Sequence, residues 1–239
     1  MPTLFISDLH LQESGSDGAH WLSAFLNGPA RRADAVYVLG DLFEFWIGDD
    51  AVAPVATETA QQTSRLAKAG VPCFFIHGNR DFLLGQDYAA LAGLQLLPEE
   101  VVVELYGQRT LLLHGDTLCT DDVEYQAFRQ QSRDPAWQAA VLGRSVEERL
   151  RMAREARDAS MRHTGAAAME IMDVNEEAVI DAFRRHVVTR MVHGHTHRPA
   201  IHRHDLGDGL FGERIVLADW CTTASYLEVT ADGCRAIDL

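Results

Sequence analysis

Short runs of apolar and β-branched residues recur along the chain, and five of them end in a small polar, glycine-containing cluster. Thr3–Ser7 leads into Asp8-Leu9-His10, Ala35–Leu39 into Gly40-Asp41, and Pro72–Ile76 into His77-Gly78-Asn79-Arg80-Asp81. Arg109–Leu113 leads into His114-Gly115-Asp116, and Val187–Val192 into His193-Gly194-His195-Thr196-His197-Arg198-Pro199. Continuous apolar runs of this length, closed by turn residues, predict buried strands. Helical periodicity fills 19–27, 56–69 and 86–92. The alternation predicts a layered α/β domain in which all five clusters lie beyond the carboxyl ends of strands, where such sheets bind ligands. After residue 199, alternating runs at Ala200–His204, Glu213–Ala218, Ser225–Thr230 and Arg235–Asp238 predict a meander completing a second sheet. Asp208-Gly209 and Asp232-Gly233 supply turns.

Spacing divides the chain further. His10 to Asp41, Asp41 to Asn79 and Asn79 to His114 span 31, 38 and 35 residues, each about one strand–helix–strand step of roughly 30 residues or more. His114 to His195 spans 81 residues, so about 45 are surplus to one such step. The surplus reads as helices at Asp122–Gln131, Pro135–Leu142 and Val146–His163. Asp134 before Pro135, and Ser145 with Glu148 three residues on, are start signals. The expected organisation is a core of residues 1–120 and 169–239 with a helical cap inserted at 121–168.

Composition narrows the function. The 239 residues are 47% hydrophobic and 23% charged, with a net charge of −14, which suits a globular protein with a substantial core. That charge excludes general nucleic-acid binding, which rests on cationic contacts to phosphates, and broad adhesion to an anionic membrane. No apolar run of about 18 residues predicts a membrane span, and MPTLFISDLHL lacks the features of a signal peptide. The chain reads as cytoplasmic. Cys73, Cys119, Cys221 and Cys234 form no CxxC pair and read as reduced, mostly buried thiols.

The cap reverses the local charge: between 129 and 162, eight arginines face five acids, a net +3. Individual arginines suit a solvated helix face with i,i+4 pairs such as Glu147–Arg151 and Glu155 near Arg151 or Arg154. The group as a whole suits a neighbouring anionic ligand. Tyr125, Phe128, Leu142, Leu150 and Met152 read most simply as the cap's own core, or else as lining for an acyl chain.

The chemistry concentrates in the five clusters. Asp8, His10, Asp41, Asn79, His114, His195 and His197 supply the carboxylate, amide and imidazole ligands that harder divalent metals take. Buried carboxylates cost several kcal/mol unless compensated, and cations would compensate them. Seven ligands are too many for one open catalytic metal and suit two that share a carboxylate, with Asp41 the best bridge. Phe43, Phe45 and Trp46 read as core or loop anchors, Asp49-Asp50 as a turn with a helix cap, and His77 and His193 as supporting groups.

The series Asp8-x-His10, Gly40-Asp41, Gly78-Asn79-Arg80-Asp81, His114-Gly115-Asp116 and His193-Gly194-His195-x-His197 resembles the calcineurin-like metallophosphoesterases over about residues 1–200. Longer matches, including Gly40–Asp50, Ile171–Asn175 and His195-Thr196-His197-Arg198-Pro199, are similar to the branch that hydrolyses UDP-2,3-diacylglucosamine in lipid A biosynthesis. The resemblance implies a four-layer αββα sandwich. It implies two manganese ions, one on Asp8, His10, Asp41 and His197 and the other on Asp41, Asn79, His114 and His195. Iron, cobalt or zinc would suit the same ligands. It implies substrate contacts by Asn79, Arg80, Asp122, His195, Ser160, Thr164 and position 167, where this chain has Ala167 in place of the usual lysine and Arg157 or Arg162 stands near to compensate. Arg80, adjacent to Asn79, is positioned to neutralise charge on phosphoryl oxygens. His195 reads as a ligand rather than a base. The implied partners are the UDP-diacylglucosamine lipid and, peripherally, the inner membrane, for a monomer that binds no nucleic acid. Two other readings stand beside this one. The first is a metallophosphoesterase of nucleotides or other phosphoesters, and the second a scaffold without activity, which should show broken ligands.

Overall fold

In β1 (Thr3–Ile6) all four side chains are buried, and because successive strand residues face opposite sides, each face needs a partner. Leu4 and Ile6 enter one hydrophobic cluster and Phe5 another. The same split recurs in β2 (Ala35–Val38), with Val36 and Val38 on one side and Ala35 and Tyr37 on the other. A sheet covered on both faces follows. The computed structural model describes residues 1–166 and 173–239.

The sheet containing β1 and β2 adds β3 (Cys73–Phe75), β4 (Leu94–Leu96), β10 (Ser225–Thr230) and β11 (Gly233–Asp238), in the order β11-β10-β1-β2-β3-β4. Its parallel part, β1 to β4, is connected through α1 (Asp17–Asn27), α2 (Pro54–Lys68) and α3 (Gln86–Ala92). Ser16 caps α1 by accepting from the Ala19 amide, and Pro54 opens α2. The second sheet holds β5 (Glu100–Leu105), β6 (Gln108–Leu113), β7 (Arg190–His193), β8 (Ala200–Gly207) and β9 (Leu210–Val216), in the order β5-β6-β7-β9-β8.

Three hydrophobic clusters define four layers. One joins the first sheet to α1–α3, and the second joins the sheets through Phe5, Tyr37, Leu39, Leu112, Val192 and Ile215. The third packs Leu111, Leu113 and Met191 on Val179, Ala182 and Phe183 of α7 (Glu176–His186). This is the αββα sandwich expected.

Several expectations change. The meander does not complete one sheet: β8 and β9 join the second, whereas β10 and β11 pair beside β1 in the first. Two of the four thiols are buried, Cys73 and Cys119; Cys221 is exposed and Cys234 intermediate. Sequence reading also passed over β4, β5 and α7.

Among the described residues, three α-helices lie between β6 and α7: α4 (Val123–Ser132), α5 (Pro135–Leu142) and α6 (Val146–Ala166). Asp134 accepts from the Trp137 amide at 2.8 Å, and Ser145 and Glu148 form the reciprocal capping box at 3.3 and 3.0 Å. These helices do not make a separate core. Val141 is buried in the main cluster, Trp137 and Met152 pack against it, and Phe128 and Leu142 remain 38% and 40% exposed.

Charged contacts fasten the helices down. Arg129 reaches buried Asp116 and Glu99 at 2.9 and 2.7 Å, Arg133 reaches Glu99 at 2.6 Å, and Arg149 holds Asp50 at 2.5 Å. Tyr125 adds a 2.6 Å hydrogen bond to Asp116. Of the helical i,i+4 pairs expected, Glu155–Arg151 forms at 3.9 Å. These cap arginines therefore answer acids of the core more than acids of the cap.

Burial raises the Asp116 carboxyl, but His114, Arg129, His195 and Arg133 outweigh it and hold it well below the usual carboxylate range. A depressed folded value stabilises above the unfolded pKa, and the benefit disappears as pH falls through the folded value. Asp116→Asn should therefore lose about 3 kcal/mol at pH 7, the scale for breaking a buried pair. The deficit should narrow below pH ~4, as the unfolded carboxyl takes up its proton. Urea denaturation of both proteins at pH 7 and pH 3 checks this; an equal deficit at both would contradict it.

Candidate metal centre

Each predicted cluster follows its strand directly, so β1, β2 and β3 of one sheet and β6 and β7 of the other deliver their loops to one edge of the sandwich. The turns are unusually tight. Asp8, His10, Asp41, His195 and His197 all have positive φ, between 49° and 66°, a region that costs a non-glycine residue about 1–3 kcal/mol. Glycines make the close approach possible. A Cβ on Gly78 would lie 2.1 Å from Asp41 Oδ1, and one on Gly194 would lie 2.1 Å from Asp8 Oδ2.

The seven predicted ligands converge. His197 Nε2 is 3.3 Å from Asp8 Oδ1, and His10 Nε2 lies 3.4 Å from His197 Nε2 and 3.9 Å from Asp41 Oδ2. On the other side, His114 Nε2 is 3.7 Å from the same Asp41 oxygen and 3.0 Å from Asn79 Oδ1, which His195 Nδ1 approaches at 2.9 Å. Two donor groups thus meet at Asp41 Oδ2. Asp8 and Asp41 are 0% and 2% exposed. Asp8 Oδ1 receives no well-formed hydrogen bond among the described residues. A hard, sulfur-free set of carboxylate, amide and imidazole groups with an orphaned buried oxygen fits divalent cations.

Surrounding groups fix the ligands' orientation. His114 Nδ1 donates to the Leu39 carbonyl at 2.8 Å, which turns Nε2 to the centre. Asp81, fully buried, accepts from the amides of Gly78 at 2.9 Å and Leu42 at 2.8 Å and from Asp41 at 3.3 Å. It ties the Asp41 loop to the Asn79 loop. Glu44 stands 3.4 Å from His10 Nδ1 and 2.7 Å from Arg157 Nε of α6. His193 supports from behind: its Nε2 accepts from buried Arg214 at 3.1 Å, while His77 contacts the Leu84 carbonyl at 2.7 Å.

Electrostatics follow from this crowding. Burial alone would lower His10, but Glu44, Asp41 and Asp8 raise it to about 9. Burial, partly offset by His114 and His10 and reinforced by Asp81 and Asp8, pushes Asp41 up to about 6. Burial would raise Asp8 too, yet His197, His114 and His10 hold it well below the usual range. Burial and the neighbouring His114 charge lower His195 to about 4, so it is neutral. Because protons and metal ions compete for such groups, metal uptake releases protons.

The expected substrate contacts distribute unevenly. Arg80 Nη2 approaches Ser160 Oγ at 3.5 Å, its backbone N–H donates to Asp41 Oδ1 at 2.8 Å, and its buried Nε carries no hydrogen bond among the described residues. Asp122 caps α4, accepting from the Tyr125 amide at 3.0 Å. Thr164 lies on α6, and Ala167 falls outside the described residues with Ile171 and Met172 of its motif. Phe43 and Trp46 are buried as anchors, but Phe45 is 37% exposed. Asp49 takes the Trp46 indole at 2.9 Å and the Gly85 and Tyr88 amides at 2.9 Å, which organises the start of α3. Sequence reasoning missed Asp81 and Glu44 as functional groups, although both lie inside quoted motifs. It also missed a His197–Asp219–Cys221 grouping at the rim, whose ligand atoms lie within 4.8 Å of one another.

Residues 1–199 match the calcineurin-like phosphoesterase family. A curated relative from Yersinia pseudotuberculosis serotype O:1b (strain IP 31758), named UDP-2,3-diacylglucosamine hydrolase, is 49% identical over 237 residues, covering 99% of this chain and 98% of its own. Among solved structures, an archaeal phosphodiesterase superposes with a TM-score of 0.50 at 11% identity, covering 100% of both chains. A dimetal phosphatase from Danio rerio also reaches 0.50, at 15% identity over 99% of this chain and 95% of its own. These two likenesses bear on the fold alone.

Asp81→Asn keeps the shape but turns an amide donor toward backbone N–H groups. Manganese affinity should fall about 10–100-fold, the usual loss when a ligand's supporting partner is removed. Calorimetric titration of the apoprotein measures it, and unchanged affinity would mean that Asp81 serves stability only.

Proposed function

The chain belongs to the calcineurin-like phosphoesterase family, and on that premise we propose that it hydrolyses the pyrophosphate bond of UDP-2,3-diacylglucosamine. The products are UMP and 2,3-diacylglucosamine 1-phosphate. Two supports carry this reading: near full-length identity to relatives named for that hydrolysis, and the meeting of two donor groups at Asp41 Oδ2 with Arg80 beside them.

In this reading one divalent cation is held by Asp8, His10, Asp41 and His197, and a second by Asp41, Asn79, His114 and His195. Manganese is the ion we assign. Such a pair, when bound, supplies Lewis-acid charge and brings a water toward ionisation near neutral pH. Asn79 and Arg80 orient the pyrophosphate, and Arg80 balances the charge that grows on the phosphoryl oxygens. An unpartnered buried Nε is the condition of a donor that an anion completes. His195, held neutral, acts as a ligand and substrate contact rather than as an acid. Attack at the α-phosphorus leaves the new oxygen on UMP and expels the acylated glucosamine 1-phosphate.

Selection belongs to the helices at 121–168. Val123, Phe128, Leu142 and Val146 expose apolar surface there, suited to acyl methylenes at about 0.8 kcal/mol each. Ser160, Arg157 and Asp122 supply polar contacts, with Arg157 standing in for the lysine that Ala167 replaces. No helix among the described residues is long and apolar enough to cross a membrane. We read the protein as a monomer that docks peripherally on the cytoplasmic face of the inner membrane through this apolar cap, despite its −14 net charge.

Purified protein reconstituted with manganese should cleave UDP-2,3-diacylglucosamine and lose that activity on exhaustive chelation; retained activity would contradict the metal assignment. Asp41→Ala should lower kcat/KM roughly 10³-fold or more, since it removes the shared ligand. For the cap, the intact protein should turn over UDP-glucosamine without acyl chains far more slowly than the diacylated substrate. Equal rates in a direct kcat/KM comparison would remove the selecting role of the cap.

A further inference from the structure

The proposed substrate has two unlike halves joined by a pyrophosphate, so with its phosphorus at the metal centre the halves must leave on different sides. One side meets α6, where Ser160 approaches Arg80 and Arg157 pairs with Glu44. On the other side a cavity of about 630 Å³ opens beside His10 and His197, and no residue of 121–166 lines it. Glu44 and Arg80 line this cavity and also touch α6, so they mark the divide between the two sides.

We infer that this cavity is the site for the nucleoside half, binding a uridine monophosphate unit with its phosphate at the His10–His197–Arg80 end. The inference rests on the reading of the centre as a pyrophosphatase of UDP-lipids. Its volume lies within the range of small-ligand pockets, about 300–1,000 Å³. Its lining is mixed, as an amphipathic nucleoside requires: Gln12, Glu13 and Asp17, all exposed, contribute polar groups beside Leu9, Leu11 and two indoles. Carboxylates there accept hydrogen bonds from ribose hydroxyls, while their charge disfavours a phosphate anywhere but the metal end. The Gln12 amide offers both a donor and an acceptor, the combination that an uracil edge requires. Trp21, half-buried in the wall, offers an aromatic face for base stacking. The other lining indole, Trp220, is buried, and its Nε1 is committed to the Ser225 carbonyl at 2.8 Å.

Cys221, an exposed thiol that also lines the cavity, makes the assignment testable without turnover. On the manganese-loaded protein, UMP should slow alkylation of Cys221 at least fivefold by site-resolved mass spectrometry, whereas 2,3-diacylglucosamine 1-phosphate should not. Cys221→Trp, which adds bulk at the cavity wall, should weaken UMP binding at least tenfold by calorimetry, and Trp21→Ala several-fold. In Trp21→Ala, metal content and affinity for the lipid 1-phosphate should stay within twofold of the unmodified protein. An absence of protection together with unchanged UMP affinity in both variants would overturn the cavity assignment, as would equal losses for the two ligands. The failure of the reaction assignment itself has a separate readout, since unmodified protein would then leave UDP-2,3-diacylglucosamine uncleaved.

Discussion

A single carboxylate oxygen organises this molecule. Asp41 Oδ2 lies 3.9 Å from His10 Nε2 and 3.7 Å from His114 Nε2, although those histidines follow strands of different sheets. To bring them there, the edges of both sheets must meet with almost no intervening loop. Burying such a carboxylate costs several kcal/mol unless cations compensate it, so the geometry that creates the centre also creates its demand for charge. The strands, the tight turns and the backing polar groups all serve to hold that arrangement against solvent.

The turns show how rigidity is obtained. Five of the seven proposed ligands have positive φ, and such strain persists only where the surroundings over-determine it. Here two things do so. Each strained residue follows a strand buried on both faces, in clusters that leave little room for slippage. The peptide groups of the strained turns also have defined partners: Asp81 receives the Asp41 amide, and Asp8 Oδ2 receives that of His195 at 2.9 Å. A ligand loop supported in this way loses little entropy when a cation arrives.

What was legible in the sequence follows the same physics. The five clusters could be read because a buried strand followed by Gly, Asp, Asn or His is a local pattern, and the cap could be read as surplus length with helix-start signals. Long-range partnership could not. β8–β9 and β10–β11 are equally good hairpins on paper, and their assignment to different sheets depends on which edge each finds open. β5, with Val101, Val102 and Val103 flanked by acids, and α7, with Asn175 as its cap and Glu176 and Glu177 in its first turn, carried local signals that were passed over. Asp81 and Glu44 lie inside recognisable motifs, but their roles arise from contacts 34 to 40 residues away in sequence or across to the cap. The exposed Phe128 and Leu142 invert the expectation of a separate cap core, because periodicity predicts which face is apolar without saying what that face meets.

The charge of the cap resolves on the same grounds. A net +3 segment within a −14 chain would at first suggest an open anion receptor, yet Arg129, Arg133, Arg149 and Arg157 each reach an acid of the core. Half of the segment's eight arginines therefore bind the cap down rather than wait for a ligand. Arg157 differs from the others in its partner, because Glu44 also faces His10. An anion that drew Arg157 away would leave Glu44 to His10 alone, and a bound cation beside His10 would strengthen the hold of Glu44 on that ring. Cap and centre are thus coupled through one carboxylate, and Arg80, which touches α6 on one side and the Asp41 carboxylate on the other, lies where an arriving phosphate would meet both.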